Sequence, residues 1–145
     1  MKFDLRSPCG NCPFRNDRHP FGLRADRVRS ILGGGKGRAY WPAVSFPCHQ
    51  TIDYDRDDGG ATVPPTAQQC AGVMIILVRE GRFNDAMQIA HRLGMFDPAG
   101  LDMDAPVYAT TEDAIKGQEQ WDRPSKAIMG ASRRLIAASK RKAKP

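Results

Sequence analysis

The sequence predicts a small single domain, mainly α with short extended segments, organised around a four-cysteine metal site. Three observations carry that expectation. The 145-residue chain holds four cysteines, and two of them, Cys9 and Cys12, form a Cys-x-x-Cys pair close to its start. Apolar residues recur at helical spacing in several stretches beyond residue 22. Between those stretches, 14 glycines and 11 prolines supply breaks and loops, which leaves room only for short extended pieces.

Taken in order, the first twenty residues read as irregular chain around the first cysteine pair, bounded by His19-Pro20. A short amphipathic helix follows from about Ala25 to Leu32. Leu23, Val28, Ile31 and Leu32 form its apolar face, and Gly33-Gly34-Gly35 ends it. The aromatic and β-branched stretch AYWPAVSFPCHQT predicts a strand or extended segment leading into Cys48. DYDRDDGGATVPPTAQQ, acidic and rich in Gly and Pro, reads as a long loop.

The strongest helical signal spans about Ala67 to Glu80. Its uninterrupted run VMIILV implies that the helix is largely buried. Asn84 is placed to cap a further helix, DAMQIAHRLG, stopped by Gly94, with Ala86, Met87, Ile89, Ala90 and Leu93 as its apolar positions. FDPAGLDMDAPVY is turn-like. Thr110 or Thr111 caps a short helix reaching about Gln118, and Pro124 suits the first position of a last, basic helix. The chain thus divides into a cysteine-bearing domain, 1–121, and a basic C-terminal helix or tail, 122–145.

Charge is distributed unevenly. Residues 1–38 carry nine Lys/Arg against three Asp/Glu, residues 39–121 five against twelve, and residues 122–145 eight against one. Two basic ends flanking an acidic middle favour an anionic partner, nucleic acid above all. No apolar run reaches the ~20 residues of a membrane span, and the opening MKFDLRSPCG lacks the apolar core of a signal peptide. A cytoplasmic protein with no membrane partner is expected. In that reducing compartment, cysteines serve more often as ligands or free thiols than as disulfides.

Each remaining reading of the cysteines makes its own demand. SPCGNC matches half of a nucleobase-deaminase zinc site, but that chemistry needs a His-x-Glu or Cys-x-Glu, and neither occurs. A thioredoxin-like couple needs a buried strand before the pair and a helix after it. Here a polar octapeptide precedes Cys9, and Pro13 follows Cys12 directly. A tetrahedral cage of Cys9, Cys12, Cys48 and Cys70 uses all four, against the plainer reading of Cys48 and Cys70 as small buried hydrophobes. One Cys-x-x-Cys pair with two scattered, proline-flanked cysteines favours a 4Fe–4S cluster; zinc is the alternative. His49 is expected beside the centre rather than in it, since neighbouring residues of an extended chain point apart.

The motifs PCGNCPFR, FPCHQT and QQCAG, with NDAMQIAHRLGMFDPAGLDMDAPVY after them, resemble an uncharacterised family of small cysteine-containing proteins of phages, prophages and some bacteria. The resemblance runs from about residue 3 to 119. It implies a phage-related context and matching positions for Cys9, Cys12, Cys48 and Cys70. CGNCPFR also resembles the CxxCPVR piece of WhiB-like iron–sulfur regulators over seven residues, while the remaining cysteine spacing departs from theirs.

Three functional readings follow. The first is a metal-cluster protein of phage type, with a regulatory role, that binds nucleic acid through Arg133, Arg134, Lys140, Arg141, Lys142 and Lys144. Arg15, Arg18, Arg24, Arg27 and Arg29 offer further phosphate contacts, and Tyr40, Trp41, Tyr108 and Trp121 are candidates for stacking on bases. The plain alternative for a Lys/Arg-rich end is a solvated tail. The second is a zinc-stabilised protein-interaction module acting on a host complex, with DYDRDD as a contact surface. The third, an enzyme, has His19, His49 and His91 for proton transfer but no nucleophile motif, phosphate loop or His-Glu zinc pair, so no catalytic residue is assigned.

Overall fold

Helix α2 (Ala71–Arg79) forms the axis around which the other elements pack, and Ala71 through Leu77 are all buried. An apolar run of this length leaves no face for water, so the rest of the chain must surround it. The computed structural model describes residues 1–17, 22–34, 41–54 and 60–122. Around α2 lie α1 (Ala25–Leu32), α3 (Asp85–Arg92) and α4 (Thr111–Asp122). The strands β1 (Asp53–Tyr54) and β2 (Ala61–Thr62) form one short antiparallel pair, with Asp53 opposite Thr62 and Tyr54 opposite Ala61.

The helices fall where their caps direct. Val28, Ile31 and Leu32 turn one face of α1 into the core, and Gly33 ends the helix at φ 74°, a backbone region that favours glycine. The Asn84 side chain accepts a hydrogen bond from the Met87 N–H at 2.9 Å and so starts α3. At the head of α4, Thr110 Oγ1 accepts from the Asp113 N–H at 3.1 Å and donates to Asp113 Oδ2 at 2.7 Å. That reciprocal arrangement satisfies a donor the helix cannot. α1 packs along α4, with Arg29 and Glu119 paired at 3.0 Å.

Four expectations need correction. The described residues are not mainly helical. Long irregular stretches, 1–17 and 93–110, cover the core instead, held by specific backbone and side-chain hydrogen bonds. α2 begins at Ala71 rather than near Ala67, because residues 67–70 are committed to backbone pairing on both sides. On one side Lys2 N–H donates to Ala67 O at 2.8 Å and Gln69 N–H to Lys2 O at 2.8 Å. On the other, Cys48 N–H donates to Gln68 O at 2.7 Å and Cys70 N–H to Phe46 O at 2.9 Å. α4 runs past Gln118 to Asp122. The expected long loop after Ile52 also contains β1 and β2. Pro124 and the expected basic helix lie outside the described residues, as do His19-Pro20 and most of DYDRDD.

Candidate metal centre

All four cysteines approach the N-terminal end of α2 from three directions. Cys9 and Cys12 lie on a tight turn in which the Cys12 N–H donates to Cys9 O at 3.1 Å and the Arg15 N–H to Cys12 O at 3.2 Å. That turn is held from the far side by Gln118 of α4, whose buried amide donates to Pro13 O at 2.8 Å. Cys48 and Cys70 come from the paired segments around Pro47 and Gln69, which face each other in an antiparallel bridge. Because side chains alternate along extended chain, the residues next to that bridge share one side of the ladder, and both cysteines point there. Cys70 then occupies the N-cap position of α2.

The sulfurs form two pairs. Cys12 Sγ and Cys70 Sγ are 3.8 Å apart and buried. Cys9, Cys48 and His49 form the second group, with their ligand atoms within 4.8 Å of one another. The pairs sense each other: Cys12 acts on Cys9, and Cys48 on Cys70. Cys12, Cys48 and Cys70 are at most 3% exposed, and Cys9 is half-buried.

The backbone prepares these sulfurs for negative charge. Backbone N–H groups favour the thiolate form: that of Asn11 lowers the pKa of Cys9, those of Phe14 and Gly72 that of Cys12, and that of Val73 that of Cys70. Gly72 and Val73 belong to the first turn of α2, whose N–H groups have no partner within the helix. Gly72 also has a steric role, because a Cβ there would lie 2.7 Å from Cys12 Sγ and 3.0 Å from Phe14 Cβ. Sequence reasoning missed Gly72. The only signal is a glycine two residues after a candidate ligand at a helix start.

Among the thiols alone, proton affinity is divided. Cys12 is favoured as thiolate by the hydrogen bond from Cys70, against the opposing effect of burial, with help from its backbone donors and Arg15. Cys70, the donor of that pair, is held well above the ordinary thiol range by its bond to Cys12 and by burial. Burial, followed by the proximity of Cys48 and Cys12, pushes Cys9 up to about 11. Several thiols packed this closely cannot all ionise unless a cation joins them.

His49 sits nearer the centre than the sequence suggests. The chain after Cys48 is not extended: His49–Thr51 form a 3-10 turn, with Thr51 N–H and Oγ1 both donating to Cys48 O at 2.8 Å. The turn brings the imidazole back beside its neighbour, where burial lowers its pKa.

The nucleic-acid candidates are less concentrated. Arg133, Arg134, Lys140, Arg141, Lys142 and Lys144 lie outside the described residues, as do Arg18 and Tyr40. Arg15 is paired with Asp17, Arg24 with Asp26 and Arg29 with Glu119. Trp41 is exposed and Tyr108 is buried. His91 is exposed at the end of α3, its ring against Phe83 and Phe96.

No described helix is long and apolar enough to cross a membrane. Neither a family model, a curated protein nor a solved structure matches the chain, so its chemistry is argued from the Cys9–Cys48–His49 group, which could hold a metal ion, and the adjoining thiol pair.

Proposed function

We propose that the chain is a metal-stapled binding protein in which Cys9, Cys12, Cys48 and Cys70 share a single tetrahedral ion, zinc, with His49 alongside. One observation carries the reading: the 3.8 Å edge between Cys12 Sγ and Cys70 Sγ. Thiolates about 2.3 Å from one zinc at the tetrahedral angle lie about 3.8 Å from each other. A 4Fe–4S cubane gives each thiolate its own iron and therefore spreads the sulfurs farther apart. Burial of three of the four sulfurs also suits a closed, structural site over an open catalytic one.

Metal and acid-labile sulfide analysis of protein purified without oxygen tests this. One zinc per chain and no visible colour is expected. Iron with sulfide and a broad brown absorbance would overturn zinc in favour of the cluster. A folded protein containing neither would overturn the centre altogether.

The staple frees the rest of the molecule for binding, and nucleic acid is the partner that the charge pattern favours. Residues 122–145 carry eight basic residues against one acidic. Binding through them rests on phosphate contacts, so affinity should fall steeply with salt. Replacing Arg133, Arg134, Lys140 and Arg141 by Gln should weaken binding to a short duplex and flatten its salt dependence, with metal content unchanged. Unaltered binding would place the contact elsewhere.

The second reading, a protein-interaction module of the small phage type, is favoured by an exposed apolar strip: Ile89, Leu93 and Met95 are each more than half exposed.

A further inference from the structure

The exposed face of α3 combines apolar and charged residues in a symmetric order. Asp85, Ile89, Arg92 and Leu93 stand at helical spacing on one side of the helix, and all four are exposed. Ile89 and Leu93 are 59% and 67% exposed, although the apolar periodicity of the helix would place them in a core. Beside them opens a groove of about 330 Å³, lined by Met1, Phe3, Ala86, Ile89, Leu93 and Met95. Asp85 begins the helix and Arg92 ends it, and neither makes an ion pair among the described residues.

We propose that this face pairs with a second copy of itself, two α3 helices lying antiparallel about a two-fold axis close to Ile89. The charge order identifies the occupant. A two-fold contact is self-complementary, so whatever residue i meets, its counterpart meets in return. Asp85 and Arg92 lie seven residues apart, about 10 Å along the axis, with Ile89 between them. Antiparallel pairing sets Asp85 of each chain beside Arg92 of the other, forming two ion pairs at once. Ile89 meets its own copy at the centre, and each Leu93 can enter the groove of the opposite chain. The helix dipoles also run in opposition. A parallel arrangement would instead set Asp85 against Asp85 and Arg92 against Arg92. The contact is small, so the dimer forms at micromolar concentrations or above. This inference does not depend on the metal.

Charge reversal provides the test, since Asp85 and Arg92 are both at the surface and their replacement leaves the core untouched. Sedimentation velocity of the full chain, from low micromolar to near-millimolar, should show a monomer–dimer equilibrium. Asp85→Arg gives a chain with two basic ends and Arg92→Asp one with two acidic ends. Each alone should dimerise about tenfold more weakly or worse. Mixed together, the two variants should associate again, because both ion pairs re-form in the heterodimer. A wild type that stays monomeric throughout would overturn the pairing and leave the strip to a foreign partner. Single variants that dimerise as well as wild type would overturn it in favour of another surface. Failure of the mixture to re-associate would overturn the antiparallel geometry.

Discussion

The two ends of α2 are secured by opposite means. At its C-terminal end, Arg79 donates to four backbone carbonyls: Val107 and Tyr108 at 3.2 Å, Met103 at 2.6 Å and Ala105 at 3.2 Å. Next to it, Glu80 accepts from the N–H and hydroxyl of Thr111 at 2.7 and 2.8 Å and pairs with Arg82. Charged groups there meet several hydrogen-bonding partners each, and the Arg79 cation sits at the favourable end of the helix dipole. At the N-terminal end the backbone is paired with Lys2 and Phe46–Cys48, but the side chains gathered there are thiols, weak donors and acceptors that repel once ionised. One end is complete in itself. The other gathers thiols that, on the proposed reading, a shared cation completes.

The largest predicted effect breaks this contrast at the cysteine end. Chelation of the metal, or Cys70→Ser, should destabilise the protein by roughly 5 kcal/mol or more, because metal affinity is folding energy here. Hydrogen exchange should rise first in residues 1–16 and 46–52, while 103–118 stays protected. Uniform exchange along the chain would show that the two ends are not independent. Next in size is Arg79→Met, which strips four carbonyls of their donor at the other end. About 3 kcal/mol should be lost, given the strength of hydrogen bonds to charged groups. Exchange should rise in 103–108, with metal content retained. Loss of metal in Arg79→Met would remove the distinction.

A third substitution sharpens it at the level of a single methyl group. Gly72→Ala should cost about 1–3 kcal/mol, since the new Cβ meets Cys12 Sγ at 2.7 Å and that sulfur cannot move without leaving its pair. Metal should bind more weakly and the Arg79 region should be unaffected. Wild-type metal affinity in Gly72→Ala would show that α2 need not approach Cys12 so closely.

What the sequence made legible follows the same division. The caps at Asn84 and Thr110, the end of α1 at Gly33 and the burial of VMIILV are local signals, and each appears where it was expected. The start of α2 was misplaced because residues 67–70 pair with Lys2 and Phe46–Cys48, partners far away in the chain that no local propensity reveals. For the centre, spacing alone identified four candidate cysteines. It could not show that they lie in two pairs, nor that a 3-10 turn folds His49 back beside Cys48. Ile89 and Leu93 belong to the apolar positions of α3 yet are exposed, because periodicity distinguishes an apolar face without saying what covers it.

The smallest predicted effect concerns the self-sufficient end and its dependence on pH. Burial alone would raise the Glu80 pKa, but hydrogen bonds from Arg82 and Thr111 outweigh it, and the carboxyl is held below its ordinary value. A depressed native pKa means that the folded state holds the ionised form more firmly than the unfolded chain does. The resulting stability is fully present above the unfolded value of about 4.3 and disappears as pH falls through the lower native value. Glu80→Gln should therefore cost about 1 kcal/mol at neutral pH, a modest sum because the side chain is still 21% exposed to screening water. The difference between wild type and variant should shrink as the pH falls below that unfolded value, which denaturant titrations at several pH values would measure. Metal loss in acid affects both proteins alike, because ligand thiols take up protons whether residue 80 is Glu or Gln. If the gap instead stayed constant down to the lowest pH at which the protein folds, the carboxylate charge would carry none of the anchoring. The grip on α4 would then come from the neutral hydrogen bonds to Thr111 alone, and the two ends of α2 would differ in geometry rather than in charge.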